Sequence, residues 1–102
     1  MPVRVGVVGA GPWASMVHAP VLAHSPTTEL VGVWARRPEA AAEVATRNGA
    51  VAYDDVDALI DACDAVAFAV PPDVQAAIAV RAARAGKHLL LEKPIAMGVA
   101  EA

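Results

Sequence analysis

Three short segments of this chain carry residue types suited to binding a phosphorylated ligand and to chemistry beside it. The first is the glycine-rich stretch Gly9–Ala14, which follows an apolar run. The second is the pair Arg36 and Arg37, and the third is the string Glu92–Pro94. Alternating glycines expose backbone amides at a sharp turn, and guanidinium groups pair with phosphate. A charged pair directly after a leucine-rich buried strand is unexpected for packing alone, and Pro94 makes the loop at the lysine rigid.

The glycine stretch has the form Gly9-x-Gly11-x-x-Ala14. In a dinucleotide-binding βαβ unit the first glycine makes the turn and the second admits the pyrophosphate. A small third residue then lets the helix pack closely on the strand. The stretch lies between the first predicted strand and the first predicted helix, and this placement favours a nucleotide site over a merely tight turn. The sequence therefore predicts a bound dinucleotide.

The end of the second predicted strand indicates which dinucleotide is preferred. A carboxylate there accepts hydrogen bonds from the ribose 2′-hydroxyl of NAD, whereas a nearby arginine suits the 2′-phosphate of NADP. The chain has Ala35 at this point, followed by Arg36 and Arg37. The alternative is that the two arginines are ordinary solvated residues at the start of the next helix. The N-terminal end of a helix disfavours cations, so this alternative gives no structural reason for them. The pattern favours NADP, with NAD still possible.

The elements that position these segments follow from hydrophobic periodicity, since β-branched or leucine runs alternate with alanine-rich amphipathic stretches. We predict strands at Val3–Val8, Leu30–Trp34, Ala50–Tyr53, Ala65–Val70 and His88–Leu91. We predict helices at Trp13–Ala23, Pro38–Asn48, Val56–Ala62 and Asp73–Ala85, with Pro20 kinking the first or ending its regular part near Met16–Ala19. The fold class is α/β, a Rossmann-type doubly wound parallel sheet of five strands in the order 3-2-1-4-5.

Taken together, these segments resemble the N-terminal domain of the Gfo/Idh/MocA oxidoreductase family over essentially the whole chain. The most specific string is Ala85–Pro94, an Ala-Gly-Lys-His start, a leucine strand and Glu-Lys-Pro. The resemblance implies hydride transfer between nicotinamide and a hydroxyl-bearing carbon of a sugar- or cyclitol-like molecule. It also implies that Lys93 is catalytic and points to the reacting oxygen.

Cofactor contacts are expected where the strands and the glycine turn meet one edge of the sheet. The expected residues are Gly9, Gly11, Pro12, Trp13, Ala14, Ala35, Arg36, Arg37, Val70, Pro71, Pro72, Glu92, Lys93 and Pro94. Two positions depart from the family, because many members have threonine where this chain has Val70 and histidine where it has Gln75. Polar contacts from those two positions are therefore not carried over.

The family adds a sixth strand and a second domain that supplies most substrate contacts. We therefore expect residues 1–102 to be one NAD(P)-binding domain, truncated before the sixth strand and inactive alone, with substrate bound only alongside a second domain. Its fifth-strand edge would be open to self-association. A free-standing nucleotide-binding or regulatory module is the alternative. A methyltransferase using S-adenosylmethionine is disfavoured, because it gives no reason for Glu92–Pro94.

Composition excludes several other classes of protein. The net charge is −3 and there is no arginine- or lysine-rich stripe, so nucleic acid is not expected as a partner. No apolar run approaches the roughly 20 residues of a membrane span. The lone Cys63 and the absence of a signal segment predict a cytoplasmic protein. The scattered histidines predict no metal site, and Asp54, Asp55 and Asp57 are expected to cap a helix.

Overall fold

The computed structural model of the chain describes residues 3–11, 19–70 and 72–90. Within these ranges strands and helices alternate in the predicted manner. The elements are β1 (Val3–Val8), α1 (Ala19–His24), β2 (Thr28–Trp34), α2 (Pro38–Arg47), β3 (Val51–Ala52), α3 (Val56–Ala62), β4 (Ala65–Phe68), α4 (Pro72–Arg84) and β5 (His88–Leu90). None of the described helices is long and apolar enough to cross a membrane.

The described strands form one sheet of five in the order β3-β2-β1-β4-β5, and every neighbouring pair is parallel. The predicted Rossmann-type order is therefore confirmed. The chain starts in the centre of the sheet, builds outward through β2 and β3, and then crosses to the other side of β1 with β4. The strand order reverses direction beside β1, and this leaves a crevice outside the carboxyl ends of β1, β2 and β4. Doubly wound parallel sheets bind ligands in such a crevice.

Two apolar clusters cover the two faces of the sheet. The first core cluster contains residues of α1 and α2 against one face: Val5, Val7, Ala19, Leu30, Val33, Ala41, Val44, Ala45 and Ala67. The second contains residues of α3 and α4 against the other: Val8, Val56, Leu59, Ile60, Cys63, Val66, Phe68, Ile78, Ala79 and Ala82. Because β1 is buried on both faces, it reads in the sequence as a nearly continuous apolar run.

The ends of several elements differ from the predicted ones. β2 begins at Thr28, two residues before the predicted Leu30, because Val3 and Arg4 of β1 pair with Thr28 and Glu29. β3 is limited to the two residues that pair with Gly32 and Val33. These ends depend on which residues the neighbouring strand offers for pairing, and hydrophobic periodicity carries no information about that.

The predicted strand Ala65–Val70 ends earlier, at Phe68, because the ladder with β1 stops at the pair of Val8 and Phe68. Ala69 still donates a backbone hydrogen bond to the Val8 carbonyl at 2.8 Å, although it lies beyond the strand. The predicted last residue of β5, Leu91, lies outside the described residues. β4 therefore delivers Ala69 and Val70 to the carboxyl edge as a loop.

Helix α1 includes Pro20 and runs to His24, one residue past the predicted end at Ala23. The predicted end of the regular part near Met16–Ala19 falls mostly on residues outside the described part and stays a prediction. Residues after the proline make their own helical bonds, and the Ser25 amide donates to the Val21 carbonyl at 3.0 Å. Proline removes only its own amide donor and leaves later donors intact. Residues 12–18 lie outside the described part, so the predicted kink and the predicted start at Trp13 stay predictions.

Asp55 caps helix α3, as the sequence predicts. Its carboxylate accepts a hydrogen bond from the Asp57 amide at 3.0 Å, while its own backbone is extended. This bond satisfies one of the backbone donors that every helix start leaves without an intrahelical partner.

Replacing Asp55 with alanine should lower the free energy of unfolding by about 1 kcal/mol, because the α3 amide then loses its acceptor. Urea denaturation followed by circular dichroism measures the change. Asp54→Ala is the matched control, since its exposed carboxylate makes no cap bond. Equal losses from the two variants would contradict the capping role.

Candidate cofactor-binding site

A cleft of about 280 Å³ lies at the carboxyl edge of the sheet, where β1, β2 and β4 end. It is lined by residues that follow these strands and by one residue from the first turn of α2. The lining consists of Gly9, Ala10, Gly11, Ala35, Arg36, Arg37, Ala40, Ala69 and Val70. The fold thus brings the glycine turn and the arginine pair to one place.

Backbone hydrogen bonds just past the strands hold the floor of the cleft. The Gly9 amide donates to the Trp34 carbonyl at 2.7 Å, and the Ala69 amide donates to the Val8 carbonyl at 2.8 Å. The three chain segments therefore leave the sheet in fixed register. The Gly9 amide is occupied by this contact, so it is not a donor for a ligand.

Gly9 occupies a position that no other residue fits. Its φ is +121°, in the region that residues with a side chain rarely adopt. A Cβ there would lie 2.3 Å from the Ala69 carbonyl oxygen and 3.1 Å from Cγ1 of Val70. The turn after β1 can thus approach the loop after β4 only because this residue lacks a side chain.

Gly11 differs from Gly9, because neither its backbone conformation nor its described neighbours require a residue without a side chain at this position. Its φ is outside the left-handed region, and a Cβ there would meet no described atom within 4 Å. Gly11 is exposed and lines the cleft. Its amide and that of Ala10 donate to no described acceptor. The turn therefore offers open space and backbone donors suited to an anion.

Arg37 precedes α2 as its N-cap residue, with φ −101° and ψ 109°. Its carbonyl accepts from the amides of Ala40 at 3.1 Å and Ala41 at 3.2 Å. Its Nε donates to Oε1 of Glu39, also at 3.1 Å. A hydrogen bond from its own backbone amide, followed by this one from Arg37, lowers the pKa of Glu39. The Glu39 carboxylate is therefore ionised at neutral pH.

Arg36 lines the same cleft, but unlike Arg37 its side chain has no described partner. Its side chain is exposed and makes no ion pair or hydrogen bond with the described part of the chain. No carboxylate is among the described residues that line the cleft, and Ala35 stands where an acid would repel a phosphate. Among the described residues that line the cleft, Arg36 is therefore a cation whose charge no described carboxylate compensates.

Residues 3–102 match a family model described as an oxidoreductase family with an NAD-binding Rossmann fold. The chain belongs to the Gfo/Idh/MocA family. It is thus an NAD(P)-binding Rossmann domain of that family, as the sequence predicts.

Individual relatives agree with this membership. The chain is 37% identical over 99 residues to UDP-N-acetylglucosamine 3-dehydrogenase of Acidithiobacillus ferrooxidans, which covers 97% of this chain and 31% of that protein. It is 38% identical over 100 residues to dTDP-3,4-didehydro-2,6-dideoxy-α-D-glucose 3-reductase of Streptomyces violaceoruber, covering 96% and 29% respectively. The chain therefore spans less than a third of the length of these relatives.

Solved structures show the same fold. The A. ferrooxidans dehydrogenase superposes with a TM-score of 0.90 at 37% identity, covering 99% of this chain and 33% of that one. KijD10, a 3-ketoreductase from Actinomadura kijaniata solved in complex with NADP, superposes with a TM-score of 0.89 at 35% identity. This superposition covers 99% of the present chain and 33% of the KijD10 chain.

The structure brings together a part of the predicted cofactor contacts. The predicted residues that line the cleft are Gly9, Gly11, Ala35, Arg36, Arg37 and Val70. Pro72 opens α4, and nothing of its side chain is described. The other predicted contacts lie outside the described residues: Pro12, Trp13, Ala14, Pro71, Glu92, Lys93 and Pro94.

Three lining residues were missed by the sequence analysis: Ala10, Ala40 and Ala69. Ala10 lies between the two glycines, so its spacing could have identified it. Ala69 precedes the predicted contact Val70, but it was missed because the predicted strand Ala65–Val70 placed it inside β4. Ala40 is the third residue of α2, and the first turn of the helix after β2 borders the crevice in this fold. Small size is their common property, and it leaves room for a ligand.

Two other residues that could report on or react with a ligand are not among the residues that line the cleft. Trp34 packs against the second core cluster, and its Nε1 donates to the Asp54 carbonyl at 3.3 Å. Cys63 is buried in that cluster, where desolvation raises the pKa of its thiol. Cys63 is therefore a small apolar packing residue, and Trp34 is a partly buried residue packed against the second core cluster.

Proposed function

We propose that this chain holds NADP(H) for an oxidoreductase that transfers hydride between nicotinamide and a hydroxyl-bearing carbon of a sugar- or cyclitol-like substrate. The observation that carries the cofactor preference is that Arg36 has no partner, and the cleft no lining carboxylate, among the residues that the structure describes. A guanidinium pairs with phosphate in a charge-assisted, bidentate contact. The NADP complex of KijD10 and the nucleotide-sugar activities named for the relatives support the same conclusion.

The described residues fit the adenosine and pyrophosphate parts of such a cofactor. Ala10 and Gly11 would donate their amides to the pyrophosphate, in the space that a Cβ at Gly11 would fill. Arg36 would hold the 2′-phosphate beside Ala35. Val70 would border the cofactor on the β4 side. Each role uses an atom or a space that the described part of the chain leaves available.

The remaining contacts of the proposed site fall on residues outside the described ranges, apart from Pro72, which opens α4. Pro12, Trp13 and Ala14 would continue the phosphate turn, and Pro71, Pro72, Glu92 and Pro94 would border the nicotinamide end. The bound nicotinamide supplies or accepts the hydride. Lys93 would donate a hydrogen bond from its ammonium to the oxygen on the reacting carbon, which stabilises that oxygen as its charge changes.

Two further expectations belong to this proposal. The first is a cytoplasmic location. The second is self-association through β5, where Leu90 is 55% exposed and the described pairing is to β4 alone. An apolar sheet edge of this kind offers unpaired backbone groups to another β-segment. Sedimentation velocity over a range of concentrations tests it, and a strictly monomeric chain would contradict it.

Thermal unfolding with added ligands tests the proposed cofactor class. At a concentration about 100 times its dissociation constant, a ligand that binds only the folded chain stabilises it by about 2.7 kcal/mol. NADPH should raise the Tm at lower concentrations than NADH, and S-adenosylmethionine should leave it unchanged. An unchanged Tm with both nicotinamide dinucleotides would overturn the proposal.

A further inference from the structure

The start of α2 offers an incoming phosphate almost no backbone donors. Pro38 has no amide hydrogen. The Ala40 amide donates to the Arg37 carbonyl at 3.1 Å, and the Glu39 carboxylate accepts from Arg37 Nε. Helix starts often bind anions through such amides. Here Pro38 has no donor and the Ala40 amide is occupied, so most contacts to a phosphate beside α2 would come from side chains.

The two arginine side chains next to α2 are not equivalent. Arg37 is bound to Glu39 through its Nε, whereas Arg36 has no partner in the described part of the chain. The Arg37–Glu39 pair is largely exposed, with 78% and 68% of the two side chains accessible. Exposed pairs of this kind are weak, but they cancel the charge that each partner presents to a third group.

We propose that Glu39 lowers the affinity of the cleft for a 2′-phosphate by binding Arg37, so that Arg36 alone carries this contact. The inference rests on the proposed function, in which the cleft takes a 2′-phosphorylated dinucleotide. Glu39 does not line the cleft, so it acts through Arg37 as a positioning residue. It thereby tunes the discrimination between phosphorylated and unphosphorylated cofactors without touching either.

Substituting Glu39 with glutamine releases Arg37 and keeps the size of the side chain. Glu43→Gln is the matched control, because Glu43 lies one turn further along α2, is 62% accessible and pairs with Arg47. Both substitutions remove one carboxylate from an exposed ion pair on the same helix. They differ in whether the arginine that is released borders the cleft.

Isothermal titration of the 102-residue chain with adenosine 2′,5′-bisphosphate and with 5′-AMP measures the effect, because the two probes differ only in the 2′-phosphate. Glu39→Gln should bind the bisphosphate about 2- to 5-fold more tightly and 5′-AMP unchanged, which is the range expected for one exposed ion pair. Glu43→Gln should match the wild type with both probes. The double variant Glu39→Gln/Arg37→Ala should lose the gain.

Three outcomes would overturn the inference: an unchanged or weaker bisphosphate affinity in Glu39→Gln, an equal gain in Glu43→Gln, or a gain that persists in the double variant. The wild type and Arg36→Ala separate this failure from failure of the proposed function. A wild type that prefers the bisphosphate, and loses the preference in Arg36→Ala, supports the proposed function even if Glu39→Gln changes nothing. A wild type that binds both probes equally overturns both.

Discussion

Arg36→Ala should weaken NADPH binding about ten- to hundred-fold and leave NADH binding nearly unchanged. Arg36 is the cleft cation without a partner in the described part of the chain, so its loss removes a charge-assisted hydrogen bond to the 2′-phosphate. Such a bond contributes about 1.5–3 kcal/mol, which corresponds to that range of affinity. Fluorescence titration of the reduced cofactors measures both dissociation constants.

Arg37→Ala is the matched control for this variant, since Arg37 borders the same cleft but is bound to Glu39. It should cost NADPH much less affinity than Arg36→Ala does. Equal losses of NADPH and NADH in Arg36→Ala would remove its role at the 2′-phosphate. A larger loss of NADPH affinity in Arg37→Ala would assign the contact to Arg37 and contradict the role of Arg36.

Gly9→Ala should destabilise the fold itself by about 2–5 kcal/mol, the sum of a strained backbone and an overpacked contact. The added Cβ would stand 2.3 Å from the Ala69 carbonyl oxygen at a φ of +121°. Relieving that clash requires β1 and the loop after β4 to separate. Urea denaturation gives the change in the free energy of unfolding.

Gly11→Ala should have the opposite effect, with little change in stability and a loss of cofactor affinity. The new methyl group meets no described atom within 4 Å, so stability should change by less than about 1 kcal/mol. Because the methyl group occupies the space expected for the pyrophosphate, NADPH and NADH should both bind about tenfold more weakly. A Gly9 variant as stable as the wild type, or a Gly11 variant that binds as well, would contradict these separate roles.

The order of the sheet could be predicted from the sequence because it follows from local patterns and general topology. β1 is apolar apart from Arg4 because it is central. Strands that alternate with amphipathic helices leave little choice other than a doubly wound parallel sheet. Strand ends could not be predicted equally well. β2 starts at Thr28 because Val3 is its partner, and no property of Thr28 itself reports that pairing.

The glycines and arginines that line the cleft could be predicted from the sequence, because these residue types are suited to binding phosphate. The difference between Arg36 and Arg37 was not predictable. It arises because Arg37 is the N-cap of α2 and its side chain reaches Glu39 across the first turn. Ala40 and Ala69 were missed because alanine has no chemistry of its own to mark it. Their contribution is the volume they leave empty, which only the assembled cleft reveals.

A ¹H–¹⁵N correlation titration of the 102-residue chain with NADP⁺ tests the central claim, that this cleft holds the cofactor. The largest amide shifts should fall on the cleft-lining Ala10, Gly11, Arg36 and Val70. Amides at the opposite, amino edge of the sheet, such as Asp64 in its bond to Arg4, should stay in place. Largest shifts at the amino edge, or none anywhere at saturating NADP⁺, would contradict the account.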